Sequence, residues 1–268
     1  MNFPKPHLPL TRFINNDGVP FFFLPDWPIF FLDNHVLVLY KPAGLLSQGD
    51  SSGKVSLLDL VRRWIKIAYR KPGDVYLGLV HRLDKPVAGI FTVARTSKAA
   101  SRLSEQFRNK TIRKEYIAVV EGVPRPRCGT IKHWLIRVGG KTISTPRYTK
   151  AHAKEAVLEY EVLESIGKRS LIRVLPVTGR KHQIRAQLAA AGHPILGDML
   201  YKSSHRLAKN AIALLARSIT FIHPTLKNKI TLSCPYPKGW PWPEVQGNLF
   251  WDWDEIKNSL SLADADYG

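Results

Sequence analysis

The stretch His81-Arg82-Leu83-Asp84-Lys85-Pro86-Val87-Ala88-Gly89 sets one carboxylate among basic side chains, immediately before the apolar run from Ile90 to Ala94. An aspartate in such company can be a solvated charge at a surface turn. It can also be an anionic nucleophile or base whose charge neighbouring cations favour, or a metal ligand. The metal reading has least support, because no second Asp, Glu or His stands close by in a usable pattern.

Neither GxGxxG nor GxxxxGK occurs, so a nucleotide cofactor has no phosphate loop to sit on. The two cysteines, Cys128 and Cys234, lie far apart without neighbours at ligand spacing. They argue against a zinc site and a disulfide scaffold and suit a reducing compartment.

The charge balance points to a polyanion. Forty Lys and Arg against 21 Asp and Glu give +19, a field that attracts nucleic acid and raises encounter rates. Residues 101–185 hold 19 basic and 7 acidic side chains, a net +12, whereas residues 236–268 hold 2 and 6. No Lys/Arg-rich amphipathic segment suits an anionic membrane, and the apolar stretch 20–32 is short and broken by Pro25, Asp26 and Pro28. The expectation is a soluble cytoplasmic protein with a nucleic-acid partner and no membrane association.

The elements that must position the cluster follow from periodicity. Residues 35–40 read as a strand stopped by Lys41-Pro42-Ala43-Gly44. Leu57, Leu60, Val61, Trp64 and Ala68 share one face of a helix over 56–69, with Ser56 and Asp59 as its N-terminal cap. Strands are predicted at 75–80, 90–94, 114–120, 156–163, 170–177, 220–222 and 229–232, the fourth and fifth forming a hairpin through Gly167-Lys168. Helices are predicted at 97–108 behind Thr96, at 179–190 before Gly192, and at 205–216. Residues 124–150 read as a loop whose Arg125, Arg127, Lys132, Arg137, Lys141, Arg147 and Lys150 form a phosphate track.

Hairpins rather than a steady βαβ alternation make the fold class α+β. Residues 1–30 read as an N-terminal arm, 31–235 as a single domain, and 236–268 as an acidic extension. In that extension Trp240, Trp242, Trp251 and Trp253 are expected to pack.

Four blocks in this order resemble the RNA pseudouridine synthases, specifically the RluA-type branch that modifies ribosomal and transfer RNA and carries an HRLD motif. They are LYKPAGLLSQ at 39–48, GLVHRLDKPVAGIFTVARTSKAASRL at 78–103, RKEYIAVVEG at 113–122 and VTGRKHQIRAQLAAAGHPILGDMLY at 177–201. A weaker fifth is LLARSITFIHP at 214–224. The resemblance implies that 31–235 is a catalytic domain with a bent, mixed and largely antiparallel sheet, flanking helices and a central RNA cleft. It implies that Asp84 is the catalytic aspartate and that Arg82 enters the space vacated by a flipped nucleotide. Tyr116 is similar to the tyrosine that stacks on the target base, and Arg185 to the arginine paired with the carboxylate. His81, Lys114, Arg180, Lys181 and His182, from the same blocks, are RNA-binding candidates. Structured ribosomal or transfer RNA is the implied partner, with no cofactor, no metal, and a monomer sufficient for one cleft.

The residue types suit that chemistry. A uridine in RNA is reached only outside the stack, so something must fill the gap and something must hold the base. A planar guanidinium can do the first. A tyrosine ring can do the second, where stacking is worth roughly 1–3 kcal/mol. Converting uridine to its C-glycoside breaks N1–C1′ and joins C5 to C1′, with no redox equivalent, phosphate donor or metal. A carboxylate suffices, attacking C1′ or C6 as a nucleophile or removing the 2′ proton as a base, and it could also relay the C5 proton. Arginine, which keeps its proton, partners that carboxylate better than Lys or His.

After HRLD the sequence departs from the family pattern. Lys85-Pro86-Val87-Ala88-Gly89 stands where a run ending Thr-Ser-Gly is usual, so two hydroxyls near the carboxylate are lost. That departure supports a second reading, a catalytically silent RNA-binding or ribosome-assembly factor on the same fold. About 30 residues precede the first core strand, too few for the small RNA-binding domain that many relatives carry. Substrate selection is therefore expected to rest on the catalytic domain and its extensions.

Overall fold

The computed structural model describes residues 13–14, 20–21, 27–148, 152–243, 245, 247 and 253–254. Most of the expected N-terminal arm, together with Lys150 and Trp251, lies outside the described residues. Two short strands, β1 (Phe13–Ile14) and β2 (Pro20–Phe21), pair with each other.

The remaining strands form one sheet. They are β3 (Ile29–Leu32), β4 (Val36–Lys41), β5 (Gly78–Leu79), β6 (Ala88–Ala94), β7 (Arg113–Glu121) and β8 (Cys128–Val138). Then come β9 (Lys141–Thr145), β10 (Lys154–Ile166), β11 (Arg169–Pro176), β12 (Leu214–Ile222) and β13 (Lys229–Ser233). The strand order is β3-β4-β6-β12-β7-β11-β10-β8-β9, with β5 beside β6 and β13 beside β12. Among the described strands, β6 and β12 alone run parallel to each other. The helices are α1 (Leu57–Ala68), α2 (Ser97–Arg108) and α3 (Gln183–Ala190). This is an α+β fold built on a mixed, largely antiparallel sheet.

Local chemistry accounts for the elements that match expectation. The α1 cap is reciprocal: the Ser56 N–H donates to Asp59 Oδ2 at 3.2 Å and the Asp59 N–H donates to Ser56 Oγ at 3.3 Å. Thr96 accepts the Ala99 N–H at 3.3 Å and starts α2. β4 and β6 are buried at every position, as strands covered on both faces must be. Trp240 and Trp242 are buried, and Trp253 lies 6.4 Å from Trp27, ring to ring.

Four expectations are corrected. The segment 124–150 is largely a hairpin of β8 and β9, turning at Gly139 and Gly140, both at positive φ. Its charged side chains masked the strand pattern. The helix expected at 205–216 is a three-ten turn at Ala208–Asn210 followed by β12. Residues 211–216 are all buried, and an apolar run buried on both faces carries no period to separate strand from helix. α3 begins at Gln183 rather than 179, because the Gln183 side chain accepts from Thr178 Oγ1 and the Arg180 N–H and holds the preceding turn. The strand expected at 75–80 is confined to Gly78–Leu79.

One row of strand register decides where the site forms. Lys41 lies beside Gly89, Gly89 beside Ala216, Ala216 beside Tyr116, and Tyr116 beside Val174, across β4, β6, β12, β7 and β11. Gly89 has φ +126°, and a Cβ there would lie 2.3 Å from the Ala216 carbonyl oxygen. Glycine alone lets β12 approach so closely, directly behind the loop that carries Asp84.

Candidate active site

All nine residues singled out from the sequence line one cleft of about 1110 Å³: His81, Arg82, Asp84, Lys114, Tyr116, Arg180, Lys181, His182 and Arg185. Lys85, Arg108, Lys110 and Arg137 add further cations, and Asp50 is the one other acidic lining residue. Thirty-two to 101 residues separate Asp84 from Tyr116 and Arg185 along the chain, and the sheet register closes those gaps.

Asp84 sits on the loop between β5 and β6, and the loop is bolted down by its backbone. Ser47 Oγ donates to the Leu83 carbonyl at 2.7 Å and accepts the Leu83 N–H at 3.1 Å. The Val87 N–H donates to the Asp84 carbonyl at 3.0 Å, closing a turn. Gly44 N–H and Lys41 Nζ both donate to the Lys85 carbonyl, at 2.8 and 3.2 Å. Lys41 Nζ also donates to the carbonyls of Pro42 and Leu45, so its full set of donors is used. Burial pushes the Lys41 ammonium down to about 7, against the pull of the Asp84 carboxylate.

The carboxylate itself is 23% exposed and lies 3.0 Å from Arg185 Nη1. Arg185 comes from α3 and is held from behind by Asp198, which the sequence reading did not single out. Arg185 Nε and Nη2 donate to the two Asp198 oxygens at 2.6 and 2.9 Å, a fork-on-carboxylate pair with Asp198 only 1% exposed. Burial opposes the Arg185 charge, and the bonds to Asp198 and then Asp84 overcome it, raising its proton affinity above the ordinary value. The guanidinium also lies 5.1 Å from the centre of the Tyr201 ring.

Tyr116 projects from β7 toward this pair. Burial, and then the Asp84 charge, push its phenol above the ordinary value, so it presents a neutral ring. Lys114, two residues earlier on the same strand face, is lowered by burial. Arg82, Arg180 and Lys181 are exposed, as phosphate-contacting cations must be. Of the expected phosphate track, Arg137 alone among the described residues lines the cleft. Lys132 instead pairs with Glu155 at 3.0 Å.

His81 is placed differently from the other cleft residues. Its ring lies 5.1 Å from Phe91 and stacks on Phe107 at 5.2 Å, and its Nε2 accepts the Thr92 N–H at 2.9 Å. Burial, with a smaller push from Lys114, lowers it from 6.5 to about 3. As pH falls from 6.5 toward 3, the unfolded chain takes up a proton here that the folded protein refuses. Stability from this residue is therefore complete above pH 6.5 and is lost below it. Urea denaturation across that range is expected to show His81→Gln losing stability less steeply than wild type, by up to about 1.4 kcal/mol per pH unit. An identical pH slope in the two proteins would contradict this.

Asp198, Tyr201, Ser47 and Lys41 are the site residues that sequence reasoning passed over. Each lies inside one of the blocks quoted for the family resemblance, which is the signal that could have found them. No group of three or more His, Cys, Asp or Glu placed to hold a metal occurs among the described residues.

Comparison with known proteins places the chain in a family. A family model described as RNA pseudouridylate synthase matches residues 35–190. The ribosomal large subunit pseudouridine synthase C of Buchnera aphidicola is 30% identical over 216 residues, 77% of this chain and 66% of that protein. The chain thus spans about two thirds of that relative's length. The dual-specificity RNA pseudouridine synthase RluA of Escherichia coli is 35% identical over 211 residues, 77% of this chain and 92% of that protein. The solved structure of human RNA pseudouridylate synthase domain containing 4 superposes with a TM-score of 0.67 at 26% identity, covering 80% of this chain and 90% of that one. The chain belongs to the RNA pseudouridine synthase family.

Proposed function

We propose that this protein isomerises a specific uridine of structured ribosomal or transfer RNA to pseudouridine in the cytoplasm, by base flipping and without a cofactor. The observation that carries the reading is the Asp84 carboxylate, open to a basic cleft and 3.0 Å from an arginine that cannot serve as its proton acceptor. The cleft cations draw in the RNA backbone. Arg82 fills the gap left by the extruded nucleotide and the Tyr116 ring holds its base. Asp84 then opens the N1–C1′ bond, and the turned uracil rejoins through C5. The names of the similar proteins, one a ribosomal large subunit enzyme and one of dual specificity, support the substrate class.

Burial of Ala88 also favours an active enzyme. Its side chain sits in the core as β6 begins, so its absent hydroxyl changes the support of the loop more than the reacting space, whereas Val87, though buried, also lines the cleft. The test is a map of carbodiimide-dependent reverse-transcription stops in total RNA. A strain lacking the gene is expected to lose a stop in ribosomal or transfer RNA, and a plasmid copy to restore it. An unchanged map would favour a silent RNA-binding or assembly factor.

A further inference from the structure

The isomerisation proposed above, on which this inference rests, also moves one proton from C5, which Asp84 could relay and for which a second group stands beside it. Once C5 has joined C1′, C5 is tetrahedral, still carries its hydrogen, and the ring holds an N1=C6 double bond. The C5–H bond must break and its electron pair become the C5=C6 double bond. The N1=C6 pair moves onto N1, which gains a proton. The net change is one proton transferred from C5 to N1.

Few groups other than Asp84 itself can accept it. Tyr116 stays a neutral phenol, Arg185 keeps its proton, His81 uses Nε2 on a backbone N–H, and Lys41 directs all three donors at carbonyls. His182 is arranged differently. It precedes α3 with φ 55° and ψ 19°, a left-handed conformation uncommon outside glycine, and its side chain makes no capping bond.

Its ring is held at Nδ1, with Nε2 facing Asp84 beyond hydrogen-bond distance. Nδ1 lies 3.1 Å from the Tyr201 hydroxyl, and Nε2 lies 3.7 Å from Asp84 Oδ2. The same hydroxyl is 3.1 Å from the Thr142 N–H and 3.0 Å from the Thr142 carbonyl. The N–H donates to the hydroxyl, the hydroxyl hydrogen goes to the carbonyl, and one lone pair remains to accept Nδ1–H. In that tautomer every partner is satisfied, and the Nε2 lone pair is left on the Asp84 side.

We infer that His182 Nε2 is the base that removes the C5 proton, with Asp84 stabilising the imidazolium that results and Tyr201 fixing the tautomer. The imidazolium then releases its proton to N1, directly or through water. Burial most strongly lowers the proton affinity of His182, Arg185 and Lys181 add to that, and Asp84 and Asp198 oppose it. Lys141, from β9, lies 5.0 Å over the Tyr201 ring and faces the same cluster. Asp84, 3.7 Å from Nε2, stands where a counter-ion to the imidazolium is needed.

The experiment compares wild type, His182→Gln and His182→Asn on RNA with hydrogen or deuterium at C5 of the target uridine. Asparagine tolerates the left-handed backbone and guards against loss of fold. Both variants are expected, at saturating RNA, to form product more slowly by about 10² or more. Both should also show a larger C5 deuterium effect than wild type, with partial rescue by imidazole. A wild-type rate, or a slow rate without an increased isotope effect, would overturn the assignment of His182. Failure of wild type itself to form pseudouridine would instead overturn the function on which it rests.

Discussion

Replacing Asp84 by asparagine is expected to abolish pseudouridine formation while leaving the fold and RNA binding in place. The amide oxygen of Asn can still accept the Arg185 Nη1–H, and Arg185 remains forked onto Asp198, so the loop keeps its anchor. The cleft loses one of its two acidic side chains, which leaves its attraction for phosphate intact. What disappears is the only lining carboxylate paired with Arg185, and turnover should fall by on the order of 10³ or more. Complementation of a deletion strain with Asp84→Asn, read by carbodiimide mapping beside filter binding and a melting curve, measures all three quantities. Undiminished turnover would remove Asp84 from the chemistry.

Asp198→Ala is expected to be the most destabilising change at the site. Arg185 is 6% exposed at its side chain, and the substitution removes the partner of both Nε and Nη2. A buried charge left without its partner costs about 3–5 kcal/mol, which corresponds to a melting temperature lower by roughly 6–20 °C in a domain of this size. Asp198→Asn, keeping the shape and one acceptor, should cost less. Adding Arg185→Met to Asp198→Ala should recover part of the loss, because an apolar side chain needs no partner there. Equal stability of wild type and Asp198→Ala in thermal melts would show that water replaces the carboxylate without penalty.

These expectations separate two kinds of legibility. Asp84, Tyr116 and Arg185 were singled out because each stands in a block that carries the family resemblance, and the fold brings all three to one cleft. Asp198 belongs to the same block as Arg185, yet nothing local marks it as the other half of an arginine fork. That bond joins a helix to a turn 13 residues later, and only packing of the turn against α3 closes it. His81 shows the converse. Its charge type and position beside Arg82 resemble an RNA contact, but two phenylalanines from β6 and α2 make it a ring in an aromatic stack.

Elements followed the same rule. α1 and α2 were legible to within a residue because caps and 3.6-residue periodicity are short-range signals written in adjacent side chains. The start of β12, residues 214–216, was mistaken for helix because it is apolar and buried on both faces, whereas 220–222 was read correctly as strand. The sequence by itself determined the basic charge, the α+β class, the absence of a phosphate-loop motif, and which residues stand in the blocks that resemble the family. The tertiary structure decided which of them meet. β12 entering between β6 and β7, against a glycine without a Cβ, sets Gly89, Ala216 and Tyr116 in one row and so brings Asp84 to the tyrosine and the arginine. Strand register is a property of pairs of segments far apart in the chain, settled by burial of whole faces at once, and no single segment encodes it.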